Sequence, residues 1–380
     1  MKRTLLATLV ACLALMAFNT RSLACTTFCL KSKGEILFGK NYDWMIGDGL
    51  VFVNKRGVAK VGAEEVNPLK WVSKYGSVTF NQYGWENPHG GMNEAGLVIE
   101  LMWLDESEYP NVDSRPAVDV LEWIQYQLDS SATVAEVLNN AEKTRIKSDV
   151  KLHYLVNDKA GNTATIEFLN GKLVAHHGAA LPVSTLTNDT YEKSLNYSKT
   201  ATIEKARGNG SLERFARAAH QTQAFYQQPK SGADAVTYAF EILSNVAQPG
   251  YTQWSIVYDQ KRGRIYFRTK TNPQIRTIDA RSFDYSCGSV VKILDMNSNG
   301  SGEVTAKFVD YTRKANRDLI EQSFNGTDFL KNVPAPVKDL LASYPEKFVC
   351  AADQKQTTAD NRANLTAYLA WLLIGFADLI

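Results

Sequence analysis

The sequence predicts an α+β protein with a layered architecture, and three observations lead to this prediction. Short stretches in which apolar residues alternate or cluster, as they do in β-strands, occur in blocks along the chain. Pairs of stretches with helical periodicity separate these blocks, which differs from the regular strand–helix alternation of a parallel sheet. No internal repeat is visible, and 380 residues are enough to bury a large core.

The first predicted strands form a hairpin that begins at Cys25. Polar and apolar residues alternate over 26–30, a Ser-Lys-Gly turn follows at 32–34, and 35–38 runs back. The turn Asn-Glu-Ala-Gly at 93–96 then precedes an apolar strand over 97–104. Similar patterns predict strands at 76–81, 152–157, 163–168, 172–176, 251–258, 264–269 and 304–308.

Four stretches have the periodicity of amphipathic helices. We expect the first to begin at Pro116, since proline is tolerated in a first helical turn. Its apolar residues are spaced helically at Val118, Leu121, Ile124 and Leu128. Ser131 is the predicted cap of a second helix that ends at Asn140. The third and fourth helices are predicted over 211–226 and 232–246.

The first 24 residues have the features of a secretory leader. Lys2 and Arg3 precede an apolar run over 5–18, and small residues at Ser22 and Ala24 suit cleavage before Cys25. The run is short for a bilayer span, which needs about 20 apolar residues. We therefore expect export to the periplasm or the exterior, with Cys25 as the first residue of a mature chain of 356 residues.

The last thirty residues differ in character from the predicted domain at 25–350. Residues 351–364 contain no large apolar side chain and resemble a linker. Residues 365–380 are apolar on all sides, and as a helix they would extend about 24 Å, less than the ~30 Å of a bilayer core. Two interpretations remain open: a helix docked on the body or on a partner chain, and a contact with the membrane surface.

Composition argues against several functional classes. Without the leader, 39 Lys+Arg balance 40 Asp+Glu, so no electrostatic footprint for nucleic acid is present. The Cys-x3-Cys spacing of Cys25 and Cys29 has no nearby histidine pair, and the five histidines include no H-x3-H, so we predict neither a metal nor a cofactor. Cys287 and Cys350 have the oxidising context to pair, but spacing alone does not establish the geometry.

Cys25 allows three interpretations. A lipoprotein processing site would have leucine three residues before the cysteine, whereas Ser22 stands there. A structural cysteine following the leader is the second interpretation. In the third, an N-terminal cysteine carries a thiol and a free α-amine, whose pKa near 7.7–8.0 suits a general base at neutral pH. Nucleophile and base are then joined covalently, and no histidine is needed.

Segments between residues 25 and 310 carry a family resemblance. In order they are CTT at 25–27, FGKNYDW at 38–44, GMNEAGL at 91–97, HYLV at 153–156, ATIEF at 164–168, LTN at 186–188, RF at 214–215, QWSIVYD at 253–259 and IYFR at 265–268. Together they resemble the choloylglycine hydrolase and penicillin V acylase family of N-terminal-nucleophile linear amide hydrolases, in particular its Gram-negative penicillin V acylase-like branch. The resemblance implies a four-layer αββα sandwich.

The resemblance also implies roles for individual residues. Cys25 would be the nucleophile, Asp43 the carboxylate that holds its α-amine, and Arg214 the late active-site arginine. The side-chain amide of Asn188 and the backbone N–H of Trp103 would bind the oxyanion, and such donors are typically worth about 3–4 kcal/mol each. Lys40 replaces the usual arginine of the family, so its part is limited to electrostatic support.

An apolar wall formed by Trp44, Met45, Trp103 and Leu104 favours an aryloxyacetyl or fatty acyl group over a steroid. The predicted substrate is therefore a small N-acyl amide, as for penicillin V acylase. Bile salt hydrolase and acyl-homoserine lactone acylase are the alternatives within the class. Outside it stand a lipid-anchored binding protein and a histidine-dependent cysteine protease. The interval from Asn188 to Arg214 lacks the tetramer-forming insert of Gram-positive members, which leaves a homo-oligomer open.

Overall fold

The structure is a computed structural model, and it describes residues 25–356 except 33, 65 and 203. The predicted leader at 1–24 and the apolar segment at 365–380 lie outside the described residues. Two large sheets, packed face to face, form the centre of the described part. None of its helices is both long enough and apolar enough to cross a membrane.

The first sheet contains seven strands in the order β14-β1-β2-β15-β16-β17-β19. Their bounds are β1 Thr26–Ser32, β2 Glu35–Asp43, β14 Thr185–Leu186, β15 Thr252–Asp259, β16 Arg264–Thr269, β17 Arg276–Asp279 and β19 Gly302–Glu303. All pairings are antiparallel except that of β17 with β19. The hairpin predicted from Cys25 is confirmed as β1 and β2, and β2 lies inside the sheet between β1 and β15.

The second sheet contains nine strands in the order β13-β12-β11-β8-β7-β6-β3-β18-β20. Their bounds are β3 Leu50–Asn54, β6 Ser77–Asn81, β7 Pro88–Asn93, β8 Val98–Trp103, β11 Leu152–Asn157, β12 Thr163–Leu169, β13 Lys172–His177, β18 Lys292–Asp295 and β20 Val309–Asp310. Two small sheets flank it, one of β9 Ala117–Val118 with β10 Arg145–Ile146, the other of β21 Val349–Cys350, β4 Val58–Val61 and β5 Lys70–Val72.

Helices cover the outer face of each large sheet. The nine-stranded sheet is covered by α1 Val120–Ser130 and α2 Val134–Lys143, and the seven-stranded sheet by α4 Ser211–Gln227 and α5 Gly232–Asn245. The predicted four-layer αββα sandwich is therefore confirmed. Outside the layers, α3 Tyr191–Thr200 packs on α4, and α6 Arg313–Asn325 pairs with α7 Ala335–Ser343.

The alternation of side chains along β1 determines which face of the sheet the side chain of Cys25 points to. Phe28 and Leu30 pack in the apolar cluster under α4 and α5. Cys25 and Cys29 belong to the cluster between the two sheets. Because successive side chains of a strand point to opposite faces, the thiol of Cys25 is directed into the interior of the sandwich.

Three predicted boundaries were wrong. The helix expected at Pro116 begins only at Val120, because residues 117–118 pair as a strand and Asp119 caps the helix together with Glu122. Ser131 ends that helix, and Thr133 with Glu136 forms the capping box of the next. The strand expected at 304–308 is a short helical turn over Thr305–Lys307, closed by the N–H of Lys307 donating to the carbonyl of Val304.

The open question of Cys287 and Cys350 is answered by a disulfide between them, with Cα atoms 5.7 Å apart. Cys350 lies in β21, which pairs with β4. The bond therefore fixes the chain that follows α7 to the body of the protein.

Candidate active site

Cys25 lies immediately before β1, and its side chain is only 4% exposed. Burial raises the pKa of its thiol; the charge of Lys40 lowers that pKa, and the charge of Asp43 raises it. The backbone N–H of Asp43 and the charge of Arg214 favour the thiolate more weakly. Because burial has the largest effect, the thiol stays protonated at neutral pH and needs a base to become a nucleophile.

Asp43 ends β2 beside this thiol and is fully buried. Its Oδ1 accepts a hydrogen bond of 2.5 Å from the hydroxyl of Thr252, whereas its Oδ2 has no hydrogen-bond partner among the described residues. Burial raises the pKa of Asp43 to about 7, against the opposing charge of Arg214. A buried carboxylate oxygen without a donor is costly, so this atom is suited to accept from an ammonium group.

Arg214 lies in the first turns of α4 and is fully buried. Its Nη1 donates to the carbonyl of Cys25 at 2.6 Å and to the hydroxyl of Thr26 at 2.7 Å. Its Nη2 donates to Oδ1 of Asn188 at 3.0 Å, and its Nε to the carbonyl of Asn209. These acceptors are all neutral, so the positive charge remains available to Asp43 and to the Cys25 thiolate.

Asn188 is fixed at both ends of its side chain. Its Oδ1 accepts from Arg214, and its Nδ2 donates to the carbonyl of Trp103 at 2.8 Å. Its backbone N–H donates to the hydroxyl of Ser211 at 2.9 Å. The amide nitrogen has two hydrogens, so one remains after the bond to Trp103. Residues 85 positions apart in the sequence thus meet beside Cys25.

The ladder between β8 and β11 leaves the N–H of Trp103 free of a strand partner. Leu104 donates its N–H to the carbonyl of Lys151 at 3.1 Å, and Leu152 donates its own to the hydroxyl of Tyr109. This pattern makes Trp103 and Leu152 a non-hydrogen-bonded pair of the antiparallel ladder. The N–H of Trp103 therefore points away from β11, to the same side as its carbonyl and hence towards Asn188.

Lys40 is buried between the sheets, at 1% exposure. Its ammonium donates to the carbonyl of Leu101 and lies 3.8 Å from Glu100. Burial raises the pKa of Glu100 to about 7, so at neutral pH this carboxylate only partly compensates the lysine. The charge of Lys40 lowers the pKa of Cys25, which is the direction that electrostatic support of the thiolate requires.

A cavity of about 480 Å³ opens beside Cys25, within the usual size range of small-molecule sites. Trp44 and Trp103 line it with ring centroids 6.4 Å apart. Met45 and Leu104, which we expected in this wall, do not line it. Leu104 points to the opposite side of its strand from Trp103 and is fully buried, while Met45 is partly exposed elsewhere.

Sequence analysis missed Tyr83 and His89, which also line the cavity. Burial lowers the pKa of His89 to about 3, so its imidazole is neutral. Within the described part of the chain, no histidine forms a hydrogen bond with Cys25 and no group of three His, Cys, Asp or Glu side chains is arranged to hold a metal ion. The signal in the sequence that could have indicated His89 is its position in β7, the strand that precedes β8 along the chain.

The comparisons with known proteins agree on one family. The family model described as linear amide C–N hydrolases, choloylglycine hydrolase family, matches residues 25–207 and 207–292. A penicillin V acylase of Pectobacterium atrosepticum is 28% identical over 341 residues, 76% of this chain and 89% of the relative. The solved penicillin V acylase of Agrobacterium tumefaciens superposes with a TM-score of 0.68 at 30% identity, covering 76% of this chain and 98% of that chain. The conjugated bile acid hydrolase of Clostridium perfringens, with a TM-score of 0.62 and 18% identity over 73% of this chain and 98% of its own, shares the fold.

The unpartnered oxygen of Asp43 leads to a prediction about Asp43→Asn in two forms of the protein, one beginning at Cys25 and one retaining Ala24. With Ala24 retained, no free amine is present at Cys25. The folded pKa of about 7 lies above the ordinary 3.8 of aspartate, so wild-type stability should fall as the pH rises from about 4 to about 7. The Asp43→Asn variant has no carboxyl group at this position to titrate. At pH 8 its free energy of unfolding should therefore exceed that of the wild type by about 1–3 kcal/mol.

In the form beginning at Cys25, the α-amino group would donate a hydrogen bond to Asp43, which should reduce or reverse that gain. Urea unfolding at pH 4.5 and pH 8 measures both forms. An identical pH dependence of the Asp43→Asn effect in the two forms would show that the amine does not contact this carboxylate.

Proposed function

The chain belongs to the choloylglycine hydrolase family of linear amide C–N hydrolases, and we propose that Cys25 is its nucleophile and that its substrates are N-acyl amides of the penicillin V acylase type. The proposal requires export and removal of the leader, because only an N-terminal cysteine has a free α-amine. With that amine in place, nucleophile and base belong to one residue.

In the first half of the reaction, the α-amine accepts the thiol proton of Cys25 and the thiolate attacks the amide carbonyl carbon. The carboxylate of Asp43 orients the amine, and the charges of Lys40 and Arg214 favour the thiolate. The tetrahedral intermediate collapses when the α-ammonium returns the proton to the leaving nitrogen. The amine product departs, and the acyl group remains on sulfur as a thioester.

In the second half, a water molecule attacks the thioester carbon while the α-amine accepts one of its protons. Collapse of the second tetrahedral intermediate breaks the carbon–sulfur bond, releases the carboxylic acid and returns the proton to the thiol. Both intermediates carry negative charge on oxygen. The remaining Nδ2 hydrogen of Asn188 and the N–H of Trp103 would stabilise this charge as preorganised donors.

The observation that carries the proposal is the hydrogen-bonded chain from Cys25 through Arg214 and Asn188 to Trp103, beside a cavity lined by the same cysteine. This chain supports the proposal, because it connects Cys25 with the side chain of Asn188 and the backbone of Trp103, the two candidate oxyanion donors. A structural cysteine would not need a fixed amide and an unpartnered buried carboxylate beside it.

An apolar acyl group suits the cavity better than a steroid. Trp44 and Trp103 present two aromatic rings, tilted by 37° to each other, to the cavity that also holds Cys25, and their faces suit an aryl ring or an extended chain. The two relatives with the higher identity are named penicillin V acylases, whereas the bile acid hydrolase supports the fold alone. An acyl-homoserine lactone offers the same combination of amide and apolar chain and is the second candidate substrate.

The test of the nucleophile is a pair of matched substitutions. Cys25→Ser should fold and be processed but lose at least about 10³-fold in kcat on penicillin V, because an alcohol is a far poorer nucleophile than a thiolate. Cys29→Ser is the control, since Cys29 is also buried in the core between the sheets and lies in β1, the strand that begins directly after Cys25. An active Cys25→Ser enzyme, or an inactive Cys29→Ser enzyme of normal stability, would overturn the assignment.

The test of the oxyanion donor is Asn188→Ala. It should lower kcat by about 10²–10³-fold with little change in KM, since the interaction forms mainly in the transition state. Steady-state kinetics with penicillin V and with a long-chain N-acyl amide measure both parameters. A change confined to KM would mean that Asn188 binds substrate and does not act on the oxyanion.

A further inference from the structure

The cavity beside Cys25 has a second wall that lies beyond the region matched to the family. The family model ends at residue 292, whereas α6 and α7 span residues 313–343. Side chains from this helical pair and its connections face the cavity: Phe324, Phe329, Leu330, Leu340, Leu341 and Tyr344. They are almost entirely apolar, so the wall offers dispersion and burial but few hydrogen bonds.

A directed chain of hydrogen bonds joins this wall to the tryptophan next to the nucleophile. The indole N–H of Trp44 donates to the hydroxyl of Tyr83 at 2.9 Å. Because Thr327 donates its own hydroxyl to the carbonyl of Ser323, it can only accept from Tyr83, at 2.9 Å. The residues after α6 therefore hold the orientation of Trp44.

Further contacts hold the helical pair in place. Asn316 accepts from the N–H of Trp85 at 2.9 Å and donates to the carbonyl of Ala342 at 3.2 Å, which ties α6 both to the body and to α7. After α7, β21 pairs with β4 and the disulfide closes the segment. The wall is thus tied to the body on both sides of the helical pair.

The pair has its own small core, which shares Phe324 with the wall of the cavity but otherwise consists of other buried side chains. Ile320, Phe324, Val333 and Ala342 are buried in it. Leu330 and Leu341 pack against it but remain partly exposed, on the cavity side. The position of the wall is therefore fixed by one set of residues, and its surface is formed largely by another.

We propose that the α6–α7 pair determines which acyl groups the enzyme accepts, because its apolar side chains form one wall of the cavity that also holds Cys25. This inference rests on the proposed function. An acyl chain enters past Trp44 and Trp103 and meets Leu340 and Leu341. Each methylene group buried along this path should raise kcat/KM about fourfold, and the gain should end where the chain reaches the wall.

The experiment measures kcat/KM for straight-chain N-acyl amides from butanoyl to tetradecanoyl with one common amine. Leu341→Trp fills the cavity and should move the optimum to shorter chains, with a loss that grows with chain length to about 10- to 100-fold for the longest. Leu341→Ala enlarges the cavity and should move the optimum to longer chains. The control is Val333→Ala, which removes similar apolar volume from the core of the pair without lining the cavity. It should lower the thermal midpoint and leave the optimum unchanged.

A second measurement separates this inference from the proposed reaction. Calorimetric binding of the corresponding free carboxylic acids to Cys25→Ser, with and without the Leu341 substitutions, needs no turnover and should show the same shifts in optimum. The inference is overturned if the optimal chain length is the same in both Leu341 variants as in the wild type, or if Val333→Ala shifts it equally. It is also overturned if the free acids do not bind. If no amide is hydrolysed but the affinity for the free acids still depends on chain length, the proposed reaction is rejected and the role of the α6–α7 wall is retained.

Discussion

The buried guanidinium of Arg214 is the contact on which the site depends. It is held by α4, yet its donors reach the carbonyl of Cys25, the hydroxyl of Thr26 and the amide of Asn188. One side chain thus joins the start of the domain to the loop that supplies a candidate oxyanion donor. Burying a cation is costly, and here the hydrogen bonds go to neutral oxygens. That arrangement leaves its charge to act on Asp43 and on the thiolate of Cys25.

The same arrangement makes the start of the domain a structural element. β1 pairs with β2, so Cys25, which directly precedes β1, is fixed at the edge of the inter-sheet core. Asp43 at the end of β2 keeps one oxygen without a donor, although it is buried. Such a group destabilises the fold unless a hydrogen-bond donor is added, and the α-amino group of an N-terminal Cys25 would supply that donor. Stability and function are therefore linked at one atom.

Much of this was predictable from the sequence, because the resemblance carried order as well as residue types. Cys25, Asp43, Asn188, Arg214 and Trp103 were assigned to one site, and the structure brings them together. The prediction for Met45 and Leu104 was wrong because both follow the end of a strand, where a residue next to a cavity-lining tryptophan can point to another side of the chain. The late start of α1 followed from the capping box of Asp119, which outweighed the proline at 116. The sequence did not indicate that α6 and α7 form a wall of the cavity, because the apolar residues of a helix have the same spacing whether they face a core or a cavity.

The claim that Cys25 carries the acyl group is tested most directly by mapping the acyl-enzyme. Wild-type protein is mixed with its best N-acyl amide, quenched in acid within milliseconds and digested, and the peptide from Cys25 to Lys31 is sequenced by mass spectrometry. This peptide contains both Cys25 and Cys29 and so provides its own control. The account predicts a transient mass increase of one acyl group on residue 25, whether retained on sulfur or shifted to the α-amine. An acyl group on Cys29 or on any residue outside the mature terminus would contradict it.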